Sequence, residues 1–381
     1  MSETQAADAP ELNNTRRNWA KFVIPCIAIV TVYLLTMLVI FIIVPFWSNT
    51  IGTIEPPPIP PLQTTPINRP DNTTPLPPTN EDNDSENPGY VERPWDYGLT
   101  APAHMTDDNR RENFWTFLIV GLNEGTNANT IMVASYDADA REAYLLSIPR
   151  DSLINVNRNG RKLSSSYIAG ALGGRGRAGG VAALQRDVMT VIGFVPDFHI
   201  IIDYDAFFAI IDAIGGIEIY VPFHMRYDDP YQNLHIDIQP GLQHMDSATA
   251  LQFARFRRAN PGHRSISDYQ RIENQQQVIN AVLRNLLRPS SILRIGEFVE
   301  IFNDSVYSNL STGNMLWLAN QLRVIGGTDA LTSYTIPMLG TSGAPMWYEL
   351  INPHGTVALV NRTINPFYVP LTLSDVSIVS E

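Results

Sequence analysis

Cysteine and lysine are almost missing from this chain. Cys26 is the single cysteine in 381 residues, which excludes an intrachain disulfide and a cysteine-based zinc site. Of 26 Lys and Arg residues, only Lys21 and Lys162 are lysine, so nearly all the positive charge is guanidinium. The balance is acidic, with a formal net charge of -12. That argues against a nucleic-acid partner, because such binders carry a broad basic face. Close metal-ligand spacing is lacking among His199, His224, His235, His244 and His263, which read as structural or surface residues. The glycine-rich run 173–180 lacks the Lys-Ser/Thr ending of a Walker loop and reads as a mobile loop. Ser147 has no G-x-S-x-G context, so it reads as a buried strand residue rather than a nucleophile.

Charge is also lacking from Phe22 to Phe46. An apolar run of this length spans a bilayer core, which needs about 20 residues. It is too long for the apolar part of a signal peptide, and no small-residue cleavage site follows, so it reads as an uncleaved signal-anchor. Arg16, Arg17 and Lys21 precede it, and Glu55 is the first charge after it. The positive-inside rule then puts residues 1–21 in the cytoplasm, 22–46 in the cytoplasmic membrane as a single pass, and the rest outside. Trp19 and Trp47 stand where interfacial aromatics belong.

From 47 to 113 the chain is rich in Pro, Thr, Asn and Asp. Pro56-Pro57-Pro58-Ile59-Pro60-Pro61 favours extended polyproline geometry, as a stiff stalk or as a Pro-rich peptide ligand. Beyond it, strands are expected at Phe117–Val120, Ile131–Tyr136, Ala143–Ile148, His199–Asp203 and Ile217–Val221. Helices are expected at Val181–Ile192 with Gly193 as stop, from Asp205 to Ile214, from Asp246 to Ala254, and over Tyr269–Leu287. Alternating strands and helices predict an α/β fold (an α+β sandwich) with a central mixed sheet flanked by helices. The tail beyond Gly326 is apolar and turn-rich and fits no simple pattern.

Arginine gathers in two places. Arg150 follows the strand Leu145-Leu146-Ser147-Ile148-Pro149, with Arg158, Arg161 and Lys162 close behind. Arg255, Arg257 and Arg258 form the second group, followed by Arg264 and Arg271. A guanidinium is always charged, and its planar fork fits phosphate oxygens two at a time. In an acidic protein this pattern points to a local anion site. Structural ion pairs or a solvated helix end are the plainer readings of the same residues.

The motifs resemble those of the LytR–CpsA–Psr family. Ser147-Ile148-Pro149-Arg150-Asp151 is similar to its S-I-P-R-D signature. Asp212-Ala213-Ile214-Gly215-Gly216-Ile217 is similar to V-D-x-L-G-G-V. Gly241 to Asp246, then Ala250 to Arg257, resembles G-x-Q-x-L-D-G-x-x-A-L-x-Y-x-R-x-R. Asp268 to Gln276 resembles D-x-x-R-x-x-R-Q-Q. The resemblance covers roughly 114–290. With the stretch to 325 it defines a domain at 114–325, leaving 326–381 as an extension of open role. It implies a phosphotransferase outside the membrane that moves a glycopolymer from a polyprenyl-pyrophosphate lipid to a cell-wall acceptor. It also implies phosphate binding by Arg150, Lys162, Arg255, Arg257, Arg271 and Gln275, with Arg150, Arg255 and Arg257 as catalytic residues. An apolar cleft would take the polyprenyl tail.

The chain departs from the family at the magnesium site. Two aspartates expected there stand as Asn123 and Asn129, and the arginines of both motifs are gone. Asn274 replaces the second arginine of R-x-x-R-Q-Q. Magnesium favours hard anionic oxygens, and two amides remove two charges. Two readings follow: an active transferase, or a non-catalytic member that binds polyprenyl phosphate or an envelope glycan. A regulatory role is a weaker third reading, since nothing resembles a DNA reader.

Overall fold

The computed structural model describes residues 56–59 and 106–379, apart from 124–126, 159, 173, 233, 287, 289–293, 325–330 and 344–345. The expected membrane span at 22–46 and most of the expected stalk lie outside the described residues. No helix among the described residues is long and apolar enough to cross a membrane.

The central strands are β1 (Phe114–Asn123), β2 (Asn127–Asp137), β3 (Glu142–Ser147), β4 (Phe198–Ile202), β9 (Tyr307–Ser308) and β10 (Leu331–Thr335). They form one sheet in the order β10-β3-β2-β1-β4-β9. Strands β1, β2 and β3 run antiparallel in sequence, while β4 joins β1 and β10 joins β3 in parallel. The sheet is therefore mixed, as expected. Its inner strands are buried on both faces, so β1 reads as an almost unbroken apolar run (Phe114 to Leu122).

One face meets α1 (Ser166–Ala171), α2 (Gly176–Ile192) and α8 (Pro353–Thr363). Leu118, Val120 and Leu146 of the sheet share a core there with Val181, Leu184, Val188, Leu359 and Val360. The stretch 176–180, expected as a mobile loop, is instead the first turns of α2. Small residues are needed because α1 and α2 nearly touch: a Cβ on Gly170 would lie 2.3 Å from the Gly179 carbonyl oxygen. Gly193 ends α2 with φ 85°, as its stop signal predicts. The opposite face carries α5 (Asp268–Leu286) and α7 (Thr312–Val324), where Trp317 packs on Trp115 and Tyr136.

A second core lies beside the sheet. It joins α3 (Tyr204–Ala213), α4 (Ser247–Arg255) and the inner side of α5 to two hairpin-like pairs. These pairs are β5 (Ile217–Val221) with β8 (Gly241–Met245), and β6 (Met225–Asp229) with β7 (Leu234–Ile238). Helix α3 is capped by Asp203, whose carboxylate accepts from the Ala206 amide at 3.0 Å, and not by Asp205, which sits in the first turn. Asp246 caps α4 as expected. Helix α5 belongs to both cores. Gln276 donates to Ser147 Oγ at 2.8 Å on the central sheet, while Val278 and Ala281 face the second core.

The tail is built into the fold. Strand β10 forms a sheet edge, and β11 (Met338–Thr341) pairs with β12 (Glu349–Ile351). At the other end, the Trp115 indole donates to the Pro57 carbonyl at 2.8 Å, and Arg110 is buried against Asp197 at 2.6 Å. Residues on both sides of 114–325 thus pack onto this fold.

Candidate active site

Strands β1, β3 and β4 point the same way, so their carboxyl ends share one edge of the sheet. Open α/β sheets bind ligands at such an edge. Asn123, the Arg150 loop and Asp203 stand there, and α4 and α5 bring the second arginine group opposite. The result is a cleft of about 820 Å³. Arg150, Arg255, Arg257, Arg258, Arg271, Gln275, Asn123 and Asn129 all line it. Phe207, Leu234, Leu251, Val278 and Ile279 give it apolar walls.

Each arginine has a local reason for its place. Arg150 follows Pro149 in a loop tied down by Ser152 Oγ donating to the Pro149 carbonyl at 2.6 Å and by the Ser164 amide donating to the Arg150 carbonyl at 2.8 Å. Arg255 ends α4, where the helix dipole favours a cation, and lies over the Tyr204 ring at 5.3 Å. Arg257 reaches Asp268 at 3.5 Å. Arg271 is 5% exposed and lies 2.9 Å from the same carboxylate. Gln275, one turn further along α5, looks into the cleft from the same helix face.

Positive charge is in excess at this end. Burial, with Arg150 and Arg257 close by, pulls the Arg271 guanidinium down to about 10. It remains charged at neutral pH but is held at a cost. The buried Nε–H groups of Arg150 and Arg271 have no hydrogen-bond partner among the described residues. A bound anion would offset both deficits.

Lys162 does not line the cleft. Its ammonium sits 3.0 Å from Asp151, one residue behind Arg150. Asn274 also points elsewhere, donating to the Phe253 carbonyl at 3.3 Å and tying α5 to α4. Arg264 stacks on Phe223 at 4.7 Å, away from the cleft lining.

The pairing of β1 with β2 shifts between Gly121 and Leu122: Gly121 faces Thr130 and Leu122 faces Ala128, which leaves Asn129 as the extra residue of a bulge. The bulge turns Asn129 toward Arg150, whose Nη1 donates to its amide oxygen at 2.8 Å. Asn123 accepts from the Asn127 amide at 2.9 Å. The oxygens at the two expected magnesium positions therefore already accept hydrogen bonds, one of them from a guanidinium. A dication there would face that positive group at close range. Among the described residues no three His, Cys, Asp or Glu side chains converge to hold a metal. The described donors, the amide oxygens of Asn123 and Asn129, do not fit magnesium, and Glu124, the carboxylate next to Asn123 in sequence, lies outside the described residues.

The LytR_cpsA_psr family model matches residues 100–356. The chain belongs to the LytR–CpsA–Psr family. This LytR–CpsA–Psr protein is 24% identical over 237 residues to the polyisoprenyl-teichoic acid–peptidoglycan teichoic acid transferase TagV of Bacillus subtilis, covering 60% of this chain and 54% of TagV. It is 21% identical to biofilm regulatory protein A of Streptococcus mutans, covering 70% of this chain and 66% of that protein. The chain thus spans between half and two thirds of the length of these two relatives. The crystal structure of TagV superposes with a TM-score of 0.55 at 20% identity, covering 66% of this chain and 96% of that one. TagT bound to LIIa-WTA gives 0.53 at 18% identity, covering 68% and 92%. These likenesses show the shared fold.

Proposed function

We propose that this LytR–CpsA–Psr protein transfers a glycopolymer phosphate from a polyprenyl-pyrophosphate carrier to a cell-wall acceptor. The convergence of Arg150, Arg255, Arg257 and Arg271 with Gln275 in one apolar-walled cleft carries this reading. TagV, a relative by sequence and fold, is a teichoic acid transferase by name. In the proposed step, an acceptor hydroxyl oxygen bonds to the phosphorus that carries the glycopolymer. The bridging P–O bond breaks, polyprenyl phosphate leaves, and the hydroxyl proton passes to solvent. The arginines neutralise charge that spreads over the phosphoryl oxygens, the main demand of phosphoryl transfer. With 22–46 as anchor, the reaction would take place outside the cytoplasmic membrane, where the lipid and the wall polymer meet.

A second reading, a lipid-phosphate or envelope-glycan binder without turnover, draws on Asn129. Its amide takes the position expected of a magnesium carboxylate and is spent on Arg150. The test is to incubate the full chain with a polyprenyl-pyrophosphate glycopolymer and peptidoglycan, with and without magnesium, and to measure released polyprenyl phosphate. Release of polyprenyl phosphate supports the transferase reading, and its loss on chelation would show that the reaction uses magnesium. Tight calorimetric binding of the lipid without release supports the binder. Absence of binding overturns both.

A further inference from the structure

The β11–β12 hairpin adjoins the anion end of the cleft. Its Glu349 amide donates to the Asp151 carbonyl at 2.9 Å, and the Leu153 amide donates back to the Glu349 carbonyl at 2.9 Å. This seats β12 beside the loop that carries Arg150. Ser342 fastens the base of the turn. Its amide donates to the Tyr348 carbonyl at 2.9 Å, its hydroxyl donates to the Met346 carbonyl at 3.2 Å, and the Tyr348 amide donates to that hydroxyl at 3.0 Å. Trp347 is held in this fastened stretch yet is 63% exposed. It lies two residues, roughly 7 Å of extended chain, from Glu349. Tyr269, 38% exposed at the start of α5, follows Asp268, whose carboxylate pairs with Arg257 and Arg271 of the cleft. Burial first, and then the nearby Asp268 and Asp151, hold the Glu349 carboxyl above the ordinary glutamate range.

The geometry points to this hairpin as the acceptor side of the cleft, with Trp347 and Tyr269 as platforms for the sugar rings of a neutral, hydroxyl-rich glycan and Glu349 as a hydrogen-bonding partner for its hydroxyls. The inference rests on the transferase reading, because a transfer cleft needs a second opening beside its phosphates. Exposed aromatic faces suit the C–H faces of sugars, and carboxyl groups accept from hydroxyls. The nearby cations, Lys162 and Arg257, are paired with Asp151 and Asp268. With Asp151 and Asp268 neutralised by these cations, Glu349 is the carboxyl that meets an incoming group, and a sugar hydroxyl suits it where a lipid phosphate would be repelled.

The test uses the full chain in nanodiscs and an uncharged N-acetylglucosamine oligomer as the glycan fragment, with binding read by calorimetry. Trp347→Ala is expected to weaken fragment binding roughly tenfold, with Glu349→Gln also weaker and Trp347→Tyr close to the parent. Arg150→Ala should keep fragment binding and lose polyprenyl-diphosphate binding. If the parent does not bind the fragment, or if Trp347→Ala binds it as well as the parent, the acceptor assignment falls. Quenching of the Trp347 emission, taken as parent minus Trp347→Phe, by brominated lipid in the nanodisc would assign the residue to the membrane instead and would also overturn it. Loss of diphosphate binding by the parent itself would strike the transferase reading and not this hairpin alone.

Discussion

Replacing Arg271 with Gln separates binding from stability. The guanidinium is almost fully buried, and its pKa lies at about 10 against an ordinary 12.5. At about 1.4 kcal/mol per unit, the fold disfavours the charged form by roughly 3 kcal/mol relative to water. Asp268 and Asp151 pull the other way, and Asp268 keeps Arg257 at 3.5 Å once Arg271 is neutral. Arg271→Gln should therefore leave the melting temperature of the unliganded protein unchanged or higher. A buried charge-assisted hydrogen bond contributes about 1.5–3 kcal/mol, so affinity for a short, soluble polyprenyl diphosphate should fall roughly 10- to 150-fold. The thermal shift produced by that ligand should shrink in step. Calorimetry and melting curves with and without ligand read both effects. An unchanged affinity would show that Arg271 does not serve the anion. A large fall in melting temperature would show that its pairing with Asp268 outweighs the cost of burial.

Gly170→Ala should destabilise the fold by roughly 1–3 kcal/mol in urea unfolding, because its Cβ would collide with backbone of α2; a loss under about 0.5 kcal/mol would show that α1 can shift freely. Glu349 has its carboxyl raised by burial and by Asp268 and Asp151. A raised acid binds more protons folded than unfolded, so its contribution is full below the ordinary value of 4.5 and is lost as pH climbs through the raised value. Glu349→Gln should then raise the melting temperature at neutral pH but not in acid, and an equal gain at both would contradict the assignment. Asn123→Asp with Asn129→Asp should create calorimetrically measurable magnesium affinity absent from the parent, and no gain would show that the two side chains do not converge.

Local signals were readable where one residue decides the outcome. Gly193 stops α2, Asp246 caps α4, and α5 starts one residue before its expected start. The ordered motifs also drew attention to four arginines that meet in space, although they lie up to 121 positions apart between Arg150 and Arg271. Other features depend on partners distant in sequence. The 176–180 stretch looks like a loop until α1 packs so closely on it that a Cβ at Gly170 or Gly179 would collide with the other helix's backbone. Strand β10, Leu-Thr-Ser-Tyr-Thr, carries a weak pattern because its place is set by parallel pairing with β3. The bulge at Asn129 has no glycine to announce it, and only the pairing with β1 reveals that this amide meets Arg150.

Helix α5 has a mechanical consequence. It holds Arg271 and Gln275 on one side, hangs from the central sheet through Gln276, and is pinned at its far end by Asn285 donating to the Gly216 carbonyl at 2.9 Å. A rod fastened at its middle and at its far end cannot yield to one ligand oxygen without carrying the other contact along. Headgroup grip and the seating of the neighbouring lobe should accordingly rise and fall as one event, visible as hydrogen exchange slowing along the entire rod when the lipid arrives.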